Sequence, residues 1–258
     1  LYIIENCLYG VDIQPIAIQI SKLRFFISLI CDQKTSRDKH KNHGIRVLPN
    51  LETKFVASDT LISFPKISQM ELVVPRVEEI QREIESLYHR HFSVQRRDQK
   101  LVIQKKFKDL RKEMGQALAQ SLGSSKKAEY LAEWDPFDPQ ASATFFDPYS
   151  MFGRSVAEGF DIVFGNPPYI QIQKFPTSQK TIWQAQDFST YSATADIYCL
   201  FYERGAQLLR QGGHLSYITS NKWLRAGYGD VIRAFFASYN PTDHSDATLH
   251  NPYTLSEF

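Results

Sequence analysis

Apolar positions along the chain change their period several times, and each change predicts an element. Residues 8–13, Leu-Tyr-Gly-Val-Asp-Ile, read as a short buried strand. Pro15 then stands where a helix can open, since its ring pre-sets φ and its missing N–H is one the first turn leaves unpaired anyway. From there Ile16, Ile20, Leu23, Ile27 and Ile30 recur at the spacing of one helix face. Residues 32–50 are polar and read as a loop. Residues 55–59, 160–164 and 214–219 predict three further strands. Residues 196–210 predict a helix with Leu200, Phe201, Leu208 and Leu209 apolar, stopped by Gly212-Gly213. A last helix is expected over 230–236. Strands alternating with helices predict an α/β sheet with helices on both faces.

The stretch 76–132 breaks that rhythm. Val77, Ile80, Ile84 and Leu87 mark one helix, and Ile103, Phe107, Leu110, Met114 and Ala117 a second. The pattern predicts a helical hairpin inserted between the second and third strands, because so long a connection rarely lacks structure of its own.

Composition narrows the class. A chain of 258 residues suits one large domain or one domain with an insertion. With 43% hydrophobic and 22% charged residues it is not disordered overall. The net charge of +2 announces no polyanion partner by itself. Charge is instead local: residues 90–112 hold nine Lys or Arg against two Asp, either a solvated helix face or a face for phosphates. Within it Arg96, Arg97, Lys105 and Lys106 are the candidate phosphate contacts. Cys7, Cys31 and Cys199 are scattered and odd in number, which excludes a disulfide framework and a zinc site, and the seven histidines show no metal spacing. No apolar run approaches the ~18 residues of a membrane span, so a reduced, cytoplasmic setting is expected.

The most specific segment is Asn166-Pro167-Pro168-Tyr169, which comes after the apolar run 160–165, read as a buried strand. Two successive prolines cannot donate to a sheet ladder, so the strand must end there, and they fix φ twice in succession. The result is a stiff strand end offering one amide side chain, carbonyls with no N–H beside them, and one aromatic ring. Such a device accepts hydrogen bonds from an amino group lying flat against the ring. Asp12 ends the first strand just before a helix, where a carboxylate serves either as a cap or as acceptor for both hydroxyls of a ribose. Asp59 ends the second strand beside Thr60 and Leu61 and is a candidate acceptor for an adenine amino group. Together the three strand ends line the carboxyl edge of a parallel sheet, where open α/β sheets bind ligands. Asn251-Pro252-Tyr253 lacks the second proline and the preceding apolar run, and reads as coincidence.

Asn166-Pro167-Pro168-Tyr169 after Phe160-Asp161-Ile162-Val163 resembles the signature of the amino-group DNA methyltransferases, specifically the adenine-modifying class. Tyr9-Gly10-Val11-Asp12-Ile13, with Ala17, Lys22, Leu23 and Arg24, looks like the ribose-binding segment of that class. Trp134-Asp135-Pro136-Phe137-Asp138, Phe145-Phe146-Asp147-Pro148, Met151-Phe152-Gly153 and Ala195-Asp196-Ile197-Tyr198 resemble the large type II restriction-modification enzymes that join endonuclease and methyltransferase in one polypeptide. The tetrapeptide is shared with protein-glutamine and some RNA methyltransferases; the ensemble is more specific.

The resemblance implies a partial Rossmann-like S-adenosylmethionine-dependent methyltransferase fold with the helical insertion. It implies a cofactor-side part over 1–70, the insertion over 71–133, a catalytic side over 134–240, and a polar tail over 241–258. It implies methyl transfer from S-adenosylmethionine to the exocyclic amine of a flipped adenine in double-stranded DNA. Asn166 and Pro167 would accept from the amine, and Tyr169 would stack on the base. Tyr228, in Arg225-Ala226-Gly227-Tyr228-Gly229, is either a second aromatic against that base or a packing ring in a Gly-flanked turn. Asp12, Ile13, Asp59 and Asn166 would meet the cofactor.

A glycine-rich turn for the methionine end of the cofactor is expected upstream of Tyr9, and a target-recognition domain downstream of about residue 240. The chain, which opens at Leu1, thus reads as the middle of a larger enzyme. One expectation is an active enzyme completed by a companion chain. The other is an inactive remnant or split subunit that folds and binds DNA weakly but does not methylate; the isolated chain is expected to bind S-adenosylmethionine poorly or not at all. A protein or RNA methyltransferase fits less well, given the long insertion and the Phe-Phe-Asp-Pro segment.

Overall fold

The computed structural model describes residues 2–45, 48–63, 75–122 and 126–238. They fall into two compact units, residues 1–155 and 156–258. The expected polar tail over 241–258 lies outside the described residues.

In the first unit, β1 (Gly10–Asp12) and β2 (Phe55–Ala57) pair in parallel, Gly10 opposite Phe55 and Asp12 opposite Ala57. A Cβ on Gly10 would collide with the Phe55 ring, so this close approach requires glycine. Both strands are shorter than expected, and β1 is half-buried with Asp12 exposed, not buried as expected. Tyr9 lies outside the ladder, with its ring against Phe152, centroids 4.8 Å apart. Past β2, Ser58 N–H donates to the Asp12 carbonyl at 2.8 Å, and Ala143 bridges in parallel to Ser58.

A short α1 (Tyr2–Asn6) precedes β1, and α2 (Pro15–Cys31) opens on Pro15 as expected. Its inner face sets Ile18, Phe25, Phe26 and Leu29 among Ile4, Leu51, Phe55, Ala57 and Phe92. The stripe that predicted the helix points the other way: Ile16, Ile20, Leu23, Ile27 and Ile30 are between 46% and 63% exposed. The helix is apolar on both faces, and periodicity alone does not say which one the core takes.

The insertion holds α3 (Pro75–Ser93), α4 (Arg97–Leu122) and α5 (Lys126–Glu133). Three helices thus stand where two were expected. Residues 126–133 carry too short an apolar pattern to announce a helix, yet α5 packs on α4 and buries Leu131. Ile80, Ile84 and Leu87 of α3 and Ile103, Phe107, Leu110 and Met114 of α4 are buried, as their spacing predicts. Fully buried Arg111 ties α4 to α6 (Pro148–Phe152). Its Nη2 donates to the Ser150 carbonyl at 2.6 Å, and its guanidinium lies 4.5 Å from the centre of the Trp134 ring.

In the second unit, β3 (Phe160–Gly165) and β4 (Leu209–Tyr217) pair in parallel, from Ile162 opposite His214 to Gly165 opposite Tyr217. Parallel neighbours need a crossover, here containing α7 (Thr177–Gln184) and α8 (Tyr198–Leu208). A final α9 (Asp230–Ser238) comes after β4. Gly212-Gly213 does not stop the helix, contrary to expectation. Leu209 already begins β4, and the glycines fall where the register slips between the Phe160–Leu209 and Ile162–His214 pairs. Gly212 has φ +73°, a left-handed conformation that glycine adopts without strain. The two units share a mixed α/β architecture built on small parallel sheets. No helix among the described residues is long and apolar enough to cross a membrane.

Leu51→Ala, at a fully buried site of the first unit, should cost about 2–5 kcal/mol. Ile20→Gln with Ile27→Gln should together cost less than about 1 kcal/mol in urea unfolding, because both side chains already face water. A loss as large as that of Leu51→Ala would show that the outer face is covered in solution. Lys54 gives a pH signature. Its amine lies 4.4 Å from the centre of the Tyr9 ring, and burial lowers its pKa from 10.5 to about 8 against the opposing Glu5 and Cys7. Between those values the unfolded chain binds more protons than the folded one, so stability rises with pH there, and the burial penalty is full below pH 8. Lys54→Met should therefore be relatively most stabilising at neutral pH, its advantage shrinking toward pH 10.5; a gap constant with pH would contradict this.

Candidate active site

β3 ends at Gly165 ahead of the two prolines, as the sequence predicts, but the strand is not buried: Ile162 is 59% and Phe164 75% exposed. Ile218 N–H donates to the Gly165 carbonyl at 3.0 Å, the last hydrogen bond between the two strand ends before Pro167 and Pro168, which have no N–H to offer. Pro167 is buried and anchors the turn, while Asn166 is exposed and Tyr169 is 49% exposed. The Tyr169 hydroxyl lies 2.7 Å from Asn166 Oδ1 and 2.7 Å from the Ile218 carbonyl. One O–H proton serves one acceptor at a time. The hydroxyl therefore holds the Asn166 carboxamide and can leave it for Ile218 without moving the ring.

Beyond the turn the chain folds back beside itself. Gln171 forms an antiparallel bridge with Asp196, and Ile197 N–H donates to the Ile170 carbonyl at 2.8 Å. This pairing delivers Tyr198, at the start of α8, to the tetrapeptide. The fully buried Tyr198 ring meets the Tyr169 ring edge to face, centroids 6.1 Å apart. The Tyr198 hydroxyl lies 2.9 Å from that of Tyr228, which in turn donates to Asp196 Oδ2 at 3.4 Å. Burial, then the hydrogen bond with Tyr228, pushes the Tyr198 phenol far up, so it stays protonated. Tyr198 thus links Tyr169 to Tyr228. The Ala195-Asp196-Ile197-Tyr198 segment stands out in the sequence only by resemblance, with no role attached; the paired spacing of Tyr198 and Tyr228 exists only in the fold.

Glu203 of α8 supports this cluster from behind. It is buried and accepts from Ser189 N at 3.1 Å, from Ser189 Oγ at 3.1 Å and from Thr190 N at 2.8 Å. Thr190 Oγ1 then donates to the Cys199 carbonyl at 3.1 Å, next to Tyr198.

Asp12, Ile13 and Asp59 sit together at the carboxyl edge of the β1–β2 pair. Asp12 is exposed, and its Oδ1 accepts from Gln14 N at 2.8 Å ahead of α2. Its Oδ2 has no hydrogen bond among the described residues, so capping and ligand binding are compatible in one carboxylate. Asp59 Oδ1 accepts from Leu61 N at 3.0 Å. Burial holds its carboxyl above the usual range, and the Leu61 N–H opposes that rise. Ile13 leaves 59% of its surface open beside them. Two carboxylates, each with an oxygen to spare, and an exposed apolar side chain suit the hydroxyls, amine and ring face of a nucleoside. No group of three His, Cys, Asp or Glu that could hold a metal ion occurs among the described residues.

The four candidate DNA contacts divide. Arg96 pairs with Asp98 at 2.8 Å and Lys106 with Glu83 at 3.3 Å. Arg97 and Lys105 are exposed and in no ion pair among the described residues.

Residues 6–244 match the Eco57I restriction-modification methylase family, and the chain belongs to it. It is similar to the Type II methyltransferase M.XhoI of Xanthomonas vasicola, 39% identical over 75 residues, which is 29% of this chain and 14% of that protein. It is similar to the Type II methyltransferase M.PaeR7I of Pseudomonas aeruginosa, 30% identical over 37% of this chain and 18% of that protein. It is also similar to the Type II restriction enzyme and methyltransferase RM.Eco57I of Escherichia coli, 31% identical over 30% of this chain and 8% of that protein. The chain thus spans less than a fifth of the length of these curated relatives.

Removing the carboxylate behind the tyrosines should loosen them. Glu203→Ala leaves the Ser189 and Thr190 N–H groups without their acceptor and should cost about 3 kcal/mol in urea unfolding, with loss of near-ultraviolet tyrosine dichroism. Glu203→Gln keeps an acceptor and should cost less than half as much; equal losses would argue against this support.

Proposed function

We propose that this chain is the methyltransferase part of a Type II restriction-modification system and that it methylates the exocyclic amine of a flipped adenine in double-stranded DNA. The observation that carries this reading is the strand end: Asn166 Oδ1, held by the Tyr169 hydroxyl at 2.7 Å, on a turn that two prolines make rigid. Membership of the methylase family supports it. A Rossmann-like sheet, of which the two parallel pairs are the supported part, and a cytoplasmic location belong to the same proposal.

An adenine amine is a poor nucleophile because its lone pair is delocalised into the ring. Asn166 Oδ1 and the Pro167 carbonyl accept its two hydrogens and draw the nitrogen toward a tetrahedral geometry, which frees the lone pair. As the amine arrives, the Tyr169 O–H turns from Asn166 Oδ1 to the Ile218 carbonyl, keeping its proton, and the Tyr169 ring offers its face to the base. Tyr228, tethered through Tyr198 and Asp196, supplies the second aromatic surface. S-adenosylmethionine supplies the electrophilic methyl group on its sulfonium. Asp12 would hold its ribose hydroxyls and Asp59 its adenine amine, beside Ile13. The in-line displacement would form the N–C bond as the C–S bond breaks, leaving a neutral thioether, and the methylated nitrogen would then lose one proton to solvent; the step depends chiefly on positioning. A companion polypeptide completing the enzyme is part of the same proposal.

Nucleoside mass spectrometry of DNA from cells expressing the chain within its complete restriction-modification locus tests this. N6-methyladenine should be present, and Asn166→Ala should reduce it at least ~100-fold, as expected when a key transition-state acceptor is lost. Methylated cytosine in its place, or undiminished N6-methyladenine in the variant, would refute the assignment.

A further inference from the structure

The basic run of the insertion looks uniform in sequence, but the fold sorts it. Arg111 is buried, and Lys100 is spent on Asn50 Oδ1. Arg96 and Lys106 are held by Asp98 and Glu83. The other cations of α4, Arg97, Lys105, Lys108 and Lys112, are exposed and in no ion pair among the described residues. At about 100° per residue they fall, with exposed Leu101, within a sector of roughly 80° on one side of the helix. Buried Ile103, Phe107, Leu110 and Met114 fix the face that points inward. From Arg97 to Lys112 the helix rises about 22 Å, which matches some six or seven phosphates of one DNA strand.

This face is not built as a merely solvated one. A solvated helix surface alternates signs at positions three and four apart. Here Lys105, Lys108 and Lys112 succeed one another at those spacings, so like charges stack. Asp109 is the sole acid three or four residues from any of the four, and it pairs with none of them. Stacked cations weaken a helix by themselves and are relieved by a polyanion.

We propose that Arg97, Lys105, Lys108 and Lys112 form a rail for the phosphate backbone of duplex DNA, gripping it without regard to base sequence. The choice of duplex DNA as the polyanion rests on the methyltransferase reading; the rail itself rests on the geometry of α4.

The test is fluorescence anisotropy of a labelled random-sequence DNA duplex with the full chain, over a series of salt concentrations. Each phosphate contact contributes about 0.9 to the slope of log K against log salt. The quadruple variant Arg97→Gln/Lys105→Gln/Lys108→Gln/Lys112→Gln, checked by circular dichroism for intact helix, should lower that slope by about 3 to 4. Arg96→Gln/Lys106→Gln, removing two cations held in ion pairs, should lower it by less than about 1. An unchanged slope in the quadruple variant, an equal drop in both variants, or wild-type binding to an acidic polypeptide as tight as to the duplex would overturn the proposal. Failure here leaves the Asn166 result untouched. Undiminished methylation in Asn166→Ala would sink the methyltransferase reading while leaving the salt slopes standing.

Discussion

The hydrogen bond from Ile218 N–H to the Gly165 carbonyl holds the site together more than any other contact. It is the last bond joining the two strand ends, and past it the chain cannot extend the ladder because Pro167 and Pro168 carry no donors. Both strands end at this register, Gly165 opposite Tyr217, and the Ile218 carbonyl lies one step beyond the ladder. The Tyr169 hydroxyl uses that carbonyl as one of its two acceptors. The exposed carboxamide, the shared proton and the ring held near Tyr198 all depend on this step.

A second constraint is the antiparallel return of residues 170–172 along 195–197. It brings a buried phenol into contact with Tyr169 and, through one more hydroxyl, with the turn around Gly227 and Gly229. A chain of tyrosines anchored by one carboxylate is more rigid than loose rings, since each hydroxyl must satisfy its neighbour. Glu203 braces the same region through backbone donors. The aromatic surface is thus held by polar groups rather than by close packing alone.

Much of this was legible in the chain itself, and the reason is locality. Prolines act on their own φ and N–H, so the end of β3 could be read from four letters. Asp12 precedes Pro15 closely enough that its place before a helix was also readable. Tyr198 was opaque because its value depends on Tyr228, thirty residues away in sequence and brought near only by the fold. Gly212-Gly213 misled because a glycine pair ends helices more often than it fills a register slip in a parallel strand. The third insertion helix escaped because residues 126–133 hold few apolar positions. The basic run was counted correctly, but salt bridges to Glu83 and Asp98 determine which charges stay available.

In the helix α2 both walls are apolar. A half-turn about its own axis would trade Ile18, Phe25, Phe26 and Leu29 for five isoleucines and leucines, with no loss of oily surface. Greasiness therefore does not choose the rotation. Shape does: Phe25 meets the Phe55 ring at 4.8 Å, and Phe55 in turn needs the bare backbone of Gly10 beneath it. So does one amine: buried Lys22, whose charge burial disfavours and Glu52 favours, lies on the inward wall. The distinction between inside and outside on this helix is carried by a ring, a glycine and a lysine, and the other aliphatic residues are indifferent to it.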